Sequence, residues 1–324
     1  MKKKIAIIGG GYSSEAGISM KSTQQLCEMM DNSLFELYPI FISSHGWFLQ
    51  LHGQEFPIAK ENFSVTVNGV KITFDCIYNS IHGTPGEDGR LASYFELLQI
   101  PYTSCGVFTS ALTFNKYATK TFLSSFGITS AKAVLIRKHD TIDTESIVAT
   151  LGLPCFVKPN NGGSSFGVSK VKHSTELLPA IHKALDEDAE VIIESFIKGI
   201  EISNGVYKVG NEITVLPITE IRTDNEFFDY QAKYEGKSIE ITPAEISEEL
   251  TQRCKALTAN IYKHLDCKGI CRVDYIIQDN ELYMLEINTV PGMSKASIIP
   301  QQIRAAGMKE SDVFTAIITD CIQK

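Results

Sequence analysis

The sequence predicts an α/β protein of more than one domain, and three observations carry that reading. The chain has 324 residues, which is long for a single hydrophobic core. Near its start a continuous apolar strand, Lys4 to Ile8, runs into Gly9, Gly10 and Gly11 and then a helix. That order opens a doubly wound α/β unit. Near its end, Cys271 to Ser294 reads as two strands joined by a tight turn, with polar residues set into apolar strands. The composition is 44% hydrophobic and 21% charged, a globular balance. The formal net charge is −8 with no basic run, which argues against a nucleic-acid partner. No apolar run approaches the ~20 residues a membrane span needs, so no membrane association is expected. The start, MKKKIAIIGGG, looks superficially like a signal peptide, but its apolar part is too short and passes into the glycine turn. The eight cysteines form no C-x-x-C pair, and Cys76, Cys155 and Cys271 lie in strand-like runs. They read as reduced core residues of a cytoplasmic protein.

Taken in order, the first helix has Ser13 or Ser14 as its expected N-cap and Ile18 on its inner face. The glycine turn is not a dinucleotide fingerprint, because Ser14 stands where G-x-G-x-x-G needs its third glycine. A nicotinamide or flavin oxidoreductase is set aside on that ground. Glu15 reads by itself as a dipole-stabilising residue of the first turn. Phe35 to Ser43 is a second strand, and Val65 to Phe74 a hairpin turning at Asn68-Gly69. Cys76 to Ile81 is a strand ending in HGTPGEDG, which puts His82 where open α/β sheets place ligands. A capping or packing histidine is the plainer reading of His82 alone. Leu91 to Leu98 is an amphipathic helix, and Ile100-Pro101 closes a first domain, 1–101.

Residues 102–190 form a second unit. A helix over 110–125 carries Lys116 and Lys120, Ala133 to Arg137 is a strand, and Thr144 to Leu151 a helix. In LPCFVKPNNGGSSFGVSKV a strand ends at Lys158, and a glycine-serine loop with Ser164 and Ser165 follows. Such a loop between strands can fold over phosphates through its N–H groups. It is not a Walker A loop, since its lysine precedes the glycines and no helix follows. Lys158 would be a fixed cation in an apolar strand. Leu177 to Leu185 is a helix and Glu190 to Glu194 a strand.

The third unit is 191–324. Glu194 and Glu201 flank the short linker Phe196-Ile197, where backbone groups and carboxylates could hold an adenine nucleotide. Residues 220–240 are polar and aromatic with little periodicity, and a loop that long is usually a functional lid. A helix over 244–265 precedes the hairpin. There Val273, Tyr275 and Ile277 alternate on one strand, Asp279-Asn280 is the turn, and Leu282, Met284 and Ile287 are apolar on the other. Asp274, Glu286 and Asn288 would bring two carboxylates and an amide oxygen to one point, a hard-oxygen set suited to Mg²⁺. Arg272 beside them would neutralise an anion. A plain salt bridge across a hairpin is the alternative. Ile299 to Ala306 and a C-terminal helix complete the chain.

Six marks in order, GGYSSE, HGTPGEDG, the lysine-then-GGSS loop, FFDYQAKY, R-x-D with E-x-N, and PGM, resemble the ATP-grasp superfamily and within it the D-alanine–D-alanine ligases. The resemblance spans nearly the whole chain. It implies three α/β domains with ATP clamped between the central and C-terminal ones. It implies that Lys116 and Lys158 contact the phosphates, with Ser164-Ser165 closing over them and Lys233 reaching the transferred phosphoryl. Glu194, Ile197 and Glu201 would hold adenine and ribose, and Asp274, Glu286 and Asn288 two Mg²⁺ or Mn²⁺ ions. Glu15, with Ser164, Tyr234 and His82, would hold the first D-alanine, and Ser297 and Ile298 the second. Arg272 and the Gly292 N–H would stabilise the oxyanion. The implied reaction joins two D-alanines through an acylphosphate, giving ADP and phosphate, for peptidoglycan precursors. A cytoplasmic homodimer is implied as well. Two departures from the family pattern are Ser195, where a lysine is common, and Ile298, where leucine is usual.

Overall fold

The computed structural model describes residues 2–163, 167–223 and 238–323. Its strands fall into three sheets. The first is built around β1 (Lys3–Gly10), which pairs in parallel with β2 (Phe35–Ser43) on one side and β7 (Cys76–Asn79) on the other. Ile5, Ala6, Ile7 and Ile8 are all fully buried, so this strand has no solvent face and reads as an unbroken apolar run. Beyond β2 the sheet continues as an antiparallel meander through β3 (Gly46–Leu51), β4 (Gln54–Ala59), β5 (Ser64–Val67) and β6 (Val70–Ile72). The β5–β6 hairpin turns at Asn68-Gly69, both with positive φ, as expected. Helix α2 (Arg90–Leu97) follows the β7 loop.

Helix α1 (Ala16–Met29) differs from expectation in two ways. Its inner face is Ser19, Ser22, Thr23 and Leu26, while Ile18 is half-buried on a cavity wall. Small polar residues face the sheet because α1 lies very close to β1: a Cβ on Gly9 would come 2.0 Å from Thr23 Oγ1. The N-cap position is Glu15, not Ser13 or Ser14, and no side chain caps it. Ser13 Oγ instead donates to the His82 carbonyl at 3.1 Å and ties the two loops together.

The second sheet is antiparallel, in the order β10 (Ser169–Val171), β9 (Cys155–Pro159), β11 (Glu190–Ser195), β8 (Ala133–Arg137). It shares a core with α5 (Thr144–Leu151) and α6 (Ser174–Leu185). The boundary expected after residue 190 thus falls inside β11, whose hydrogen bonds to β8 and β9 place 191–195 in this sheet. The helix expected over 110–125 is two helices, α3 (Val107–Phe114) and α4 (Lys116–Ser124). Asn115 breaks them with φ −91°, ψ 104°, and its side chain caps α4 at Ala118 N. Leu123 and Ile128 pack with Tyr275 and Met284, so much of 105–128 rests on the third sheet's core.

That third sheet runs β14 (Ser238–Ile241), β13 (Glu212–Thr223), β12 (Ile200–Val209), β15 (Ile270–Gln278), β16 (Glu281–Asn288), all antiparallel. Helix α7 (Glu248–His264) covers one face. The expected 220–240 lid is shorter than read, because β13 extends to Thr223 and β14 begins at Ser238; the remainder lies outside the described residues. Helices α8 (Ile298–Ala305) and α9 (Glu310–Gln323) join Tyr207 and Ile270 of this sheet to Ile5, Cys76 and Tyr78 of the first in one apolar cluster. Among the described residues no helix is long and apolar enough to cross a membrane.

Candidate active site

The β15–β16 hairpin is joined by Asp279-Asn280, with φ 52° and 64°, a two-residue turn whose twist matches that of the strands. Its register pairs Asp274 with Glu286 and Arg272 with Asn288. Directly opposed residues in an antiparallel pair share a face, and so do residues two apart on a strand. All four polar side chains therefore stand on one face, while Val273 and Tyr275 fill the core on the other. The register shifts just past Asp274, where Tyr275 pairs with Met284 and Leu285 is the extra residue.

Asp274 is the hub of this group. Arg272 reaches it through two bonds, Nε to Oδ1 at 2.9 Å and Nη2 to Oδ2 at 2.8 Å. Asn288 Nδ2 donates to Oδ2 at 3.0 Å and Ser203 Oγ to Oδ1 at 2.6 Å. A carboxylate has about four lone-pair sites, so Asp274 is filled, half of it by Arg272.

Two cavities meet above the hairpin. The larger, about 890 Å³, is lined by Lys158, Glu194, Ile197, Glu201 and Leu285 among others. The smaller, about 530 Å³, is lined by His82, Arg272, Asn288, Gly292, Ser297 and Ile298 among others. Glu15, Phe114, Lys116, Gly162, Gly163 and Glu286 border both. Lys116 Nζ lies 3.6 Å from Glu286 Oε2 and also bonds the Gly162 carbonyl. A Cβ on Gly163 would approach Glu15 Oε2 to 3.0 Å, so the start of the glycine loop rests against Glu15.

In the larger cavity Glu194 is bracketed by Lys158, at 2.5 Å, and Lys120. Burial opposes ionisation of Glu194, but the two ammonium groups outweigh it and hold its carboxyl at about 2. Burial pushes Lys120 down. For Lys158 the pull of Glu194 and Glu286 exceeds the same burial penalty and moves it up. Lys158, on the cavity wall beside Lys116, is a fixed cation that could meet a phosphate chain, while Lys120 sits behind Glu194.

In the smaller cavity His82 Nδ1 lies 2.8 Å from the Val290 carbonyl and Nε2 3.5 Å from Ser22 Oγ. The carbonyl can only accept, which assigns the proton to Nδ1. Burial pushes His82 below its usual value, so the imidazole is neutral at pH 7. Glu87 accepts from Gly83 N at 2.7 Å and Val290 N at 3.2 Å. Burial, reinforced by Glu15, raises its carboxyl to about 8. Ser297, at the N-cap of α8, bonds Ser294 Oγ at 2.7 Å, and a Cβ on Gly292 would come 2.9 Å from Ser297 Oγ.

Of the residues singled out from sequence, the structure brings Glu15, His82, Lys116, Lys158, Glu194, Ile197, Glu201, Arg272, Glu286, Asn288, Gly292, Ser297 and Ile298 onto the two cavities. Asp274 lies beneath Arg272 and Asn288 rather than on a wall. Ser164, Ser165, Lys233 and Tyr234 lie outside the described residues. Sequence reasoning assigned no role to Lys120 or Glu87. Lys120 is four residues after Lys116, one face of α4, and that spacing was its signal.

The hairpin's donors fit a hard divalent cation. Glu286 and Asn288 border the cavities, and Asp274 offers oxygens that Arg272 would vacate on turning into the smaller cavity, which it already lines.

Residues 4–105 match the family described as D-ala D-ala ligase N-terminus, and residues 122–319 that described as D-ala D-ala ligase C-terminus. The D-alanine--D-alanine ligase of Flavobacterium johnsoniae is 53% identical over 317 residues, 98% of each chain. That of Phocaeicola vulgatus is 50% identical over 320 residues, 98% of this chain and 99% of its own. Among solved structures, the VanG D-Ala:D-Ser ligase from Enterococcus faecalis aligns with TM-score 0.88 at 31% identity, over 98% of this chain and 99% of its own. The D-alanine--D-alanine ligase from Bacillus anthracis complexed with ATP aligns with TM-score 0.80 at 29% identity, over 99% and 98%. The fold is ATP-grasp, with three α/β units. The chain belongs to the D-alanine–D-alanine ligase family.

Proposed function

We propose that this enzyme joins two D-alanines into D-alanyl-D-alanine, with ATP giving ADP and phosphate, to supply peptidoglycan precursors. The observation that carries the reading is the junction of the two cavities at Lys116 and Glu286. A phosphoryl group can pass there from a nucleotide in the larger cavity to an amino acid in the smaller. In this reading Glu194, Ile197 and Glu201 hold adenine and ribose, and Lys116 and Lys158 the phosphates. Glu15 receives the ammonium of the first D-alanine, beside neutral His82, and Ser297 and Ile298 hold the second. Asp274, Glu286 and Asn288 would hold two Mg²⁺ or Mn²⁺ ions, which when bound offset the charge of the phosphates.

The first D-alanine carboxylate takes the γ-phosphoryl, and ADP leaves. The neutral amine of the second D-alanine attacks the acyl carbon and releases its proton to solvent. Arg272 and the Gly292 N–H bind the oxyanion that forms, and phosphate leaves. In this reading the enzyme works in the cytoplasm as a homodimer. An acidic chain whose eight cysteines are all free suits a reducing compartment. Phosphate release with ATP, Mg²⁺ and each D-amino acid in turn tests the activity. Release that depends on D-alanine is expected; release without an amino acid, or only with D-serine, contradicts the reading. Supplying D-alanine and D-lactate together should yield dipeptide and little ester.

A further inference from the structure

Three cysteines from distant parts of the chain converge outside both cavities. Cys105 precedes α3, Cys267 lies between α7 and β15, and Cys271 is the second residue of β15. All three are buried, and their sulfurs lie within 4.8 Å of one another. Cys105 Sγ and Cys271 Sγ are 3.8 Å apart. The Lys268 backbone N–H points at Cys105 Sγ, 3.4 Å away. Cys267 also borders a cavity of about 550 Å³ shared with Lys268 and Gly269, which gives the group a route to solvent.

A single buried cysteine is an ordinary small apolar residue. Three sulfurs converging on one point, with a backbone donor aimed at one of them, go beyond that. We propose that Cys105, Cys267 and Cys271 form a three-thiolate site for one thiophilic divalent cation of the zinc class. Zinc–sulfur bonds are about 2.3 Å, so sulfurs on a tetrahedral ion lie roughly 3.8 Å apart, the spacing Cys105 and Cys271 already have. Thiolate ligands select such ions over Mg²⁺. Three thiolates around a divalent ion carry a net single negative charge; Lys268 Nζ and Glu96 Oε1 both lie near Gly106, the residue after Cys105, at 3.9 and 3.7 Å from where its Cβ would stand. As three metal–sulfur bonds form, three S–H bonds break and three protons pass to solvent, so binding tightens as pH rises. The fourth position is left to water from the cavity. A bound ion would clamp the loop before α3 to the start of β15.

Titration of the reduced full-length protein with Cd²⁺ tests this. One Cd²⁺ per chain is expected, with an ultraviolet thiolate charge-transfer band that Zn²⁺ displaces and Mg²⁺ leaves alone. Cys105→Ser and Cys267→Ser should each weaken Cd²⁺ binding by about tenfold or more, since even an outer-shell change costs that much. A double Cys27→Ser, Cys321→Ser variant should keep the band unchanged. Absence of the band in the wild-type protein overturns the proposal, whatever the variants' folding. So does a band that survives Cys105→Ser and Cys267→Ser but disappears in the double variant.

Discussion

Arg272 holds both oxygens of Asp274, at 2.9 and 2.8 Å, and so occupies the carboxylate a metal ion would use. In the proposed reading arginine and metal would compete for Asp274, and Arg272 would turn toward the smaller cavity, which it lines. Arg272→Ala should lower kcat by about 3–4 kcal/mol of transition-state stabilisation, the loss typical of one oxyanion donor. It should not raise the Mg²⁺ concentration needed for half-maximal rate. A variant that needs more Mg²⁺ than wild type would show that the two do not compete.

Glu286→Ala and Asn288→Ala should lower kcat far more than they lower the melting temperature. Both side chains stand on the polar face of the hairpin, away from the core that Val273 and Tyr275 fill. Turnover at limiting Mg²⁺ is the measurement, and wild-type turnover in either variant would mean the metal ligands are wrongly assigned.

Lys158→Ala leaves Glu194 with Lys120 as its remaining lysine partner and removes a cation from the wall of the larger cavity. A charge-assisted contact is worth ~1.5–3 kcal/mol, so ATP should bind roughly tenfold or more weakly. Calorimetry with unchanged ATP affinity would contradict this.

Glu87 and Glu194 are perturbed in opposite senses, with opposite effects on stability. Glu87 is raised from 4.5 to about 8, so the folded protein keeps a proton the unfolded chain releases. Its contribution is full below the unfolded value and is lost as pH rises through about 8. Glu194 is lowered from 4.5 to about 2, so its contribution is present above 4.5 and lost as pH falls toward 2. Glu87→Gln should therefore flatten the decline in melting temperature between about pH 5 and 8. An unchanged slope over that range would show that Glu87 does not titrate there.

The hairpin was legible because period-two alternation and an Asp-Asn turn survive in the sequence, and its four polar residues break an apolar pattern. Strands β12 and β13 were not. Ser203 and Asn204 sit fully buried in mid-strand, bonded to Asp274 and to the Leu216 carbonyl, and they erase the alternation. Asn115 reads as an ordinary helix residue until the Asn160–Asn161 segment packs beside it: Lys116 N donates to the Asn160 carbonyl, and Asn115 bridges Asn161. The raised state of Glu87 comes from its burial and from Glu15, seventy residues before it, and its other partner Val290 lies two hundred residues on, so no local window contains them.

The four-stranded sheet keeps its core to itself, whereas α9 welds the first sheet to the third. Mechanically this makes a clamp with one fixed jaw and one hinged jaw. The smaller cavity is lined mainly by segments of the first and third sheets and their connections, so its dimensions are set by their shared packing. A nucleotide held as proposed would touch Lys158 on the four-stranded sheet and Glu201 on the third. Because the four-stranded sheet buries a core of its own, a turn of that sheet on nucleotide binding would leave the packing shared by the first and third sheets in place.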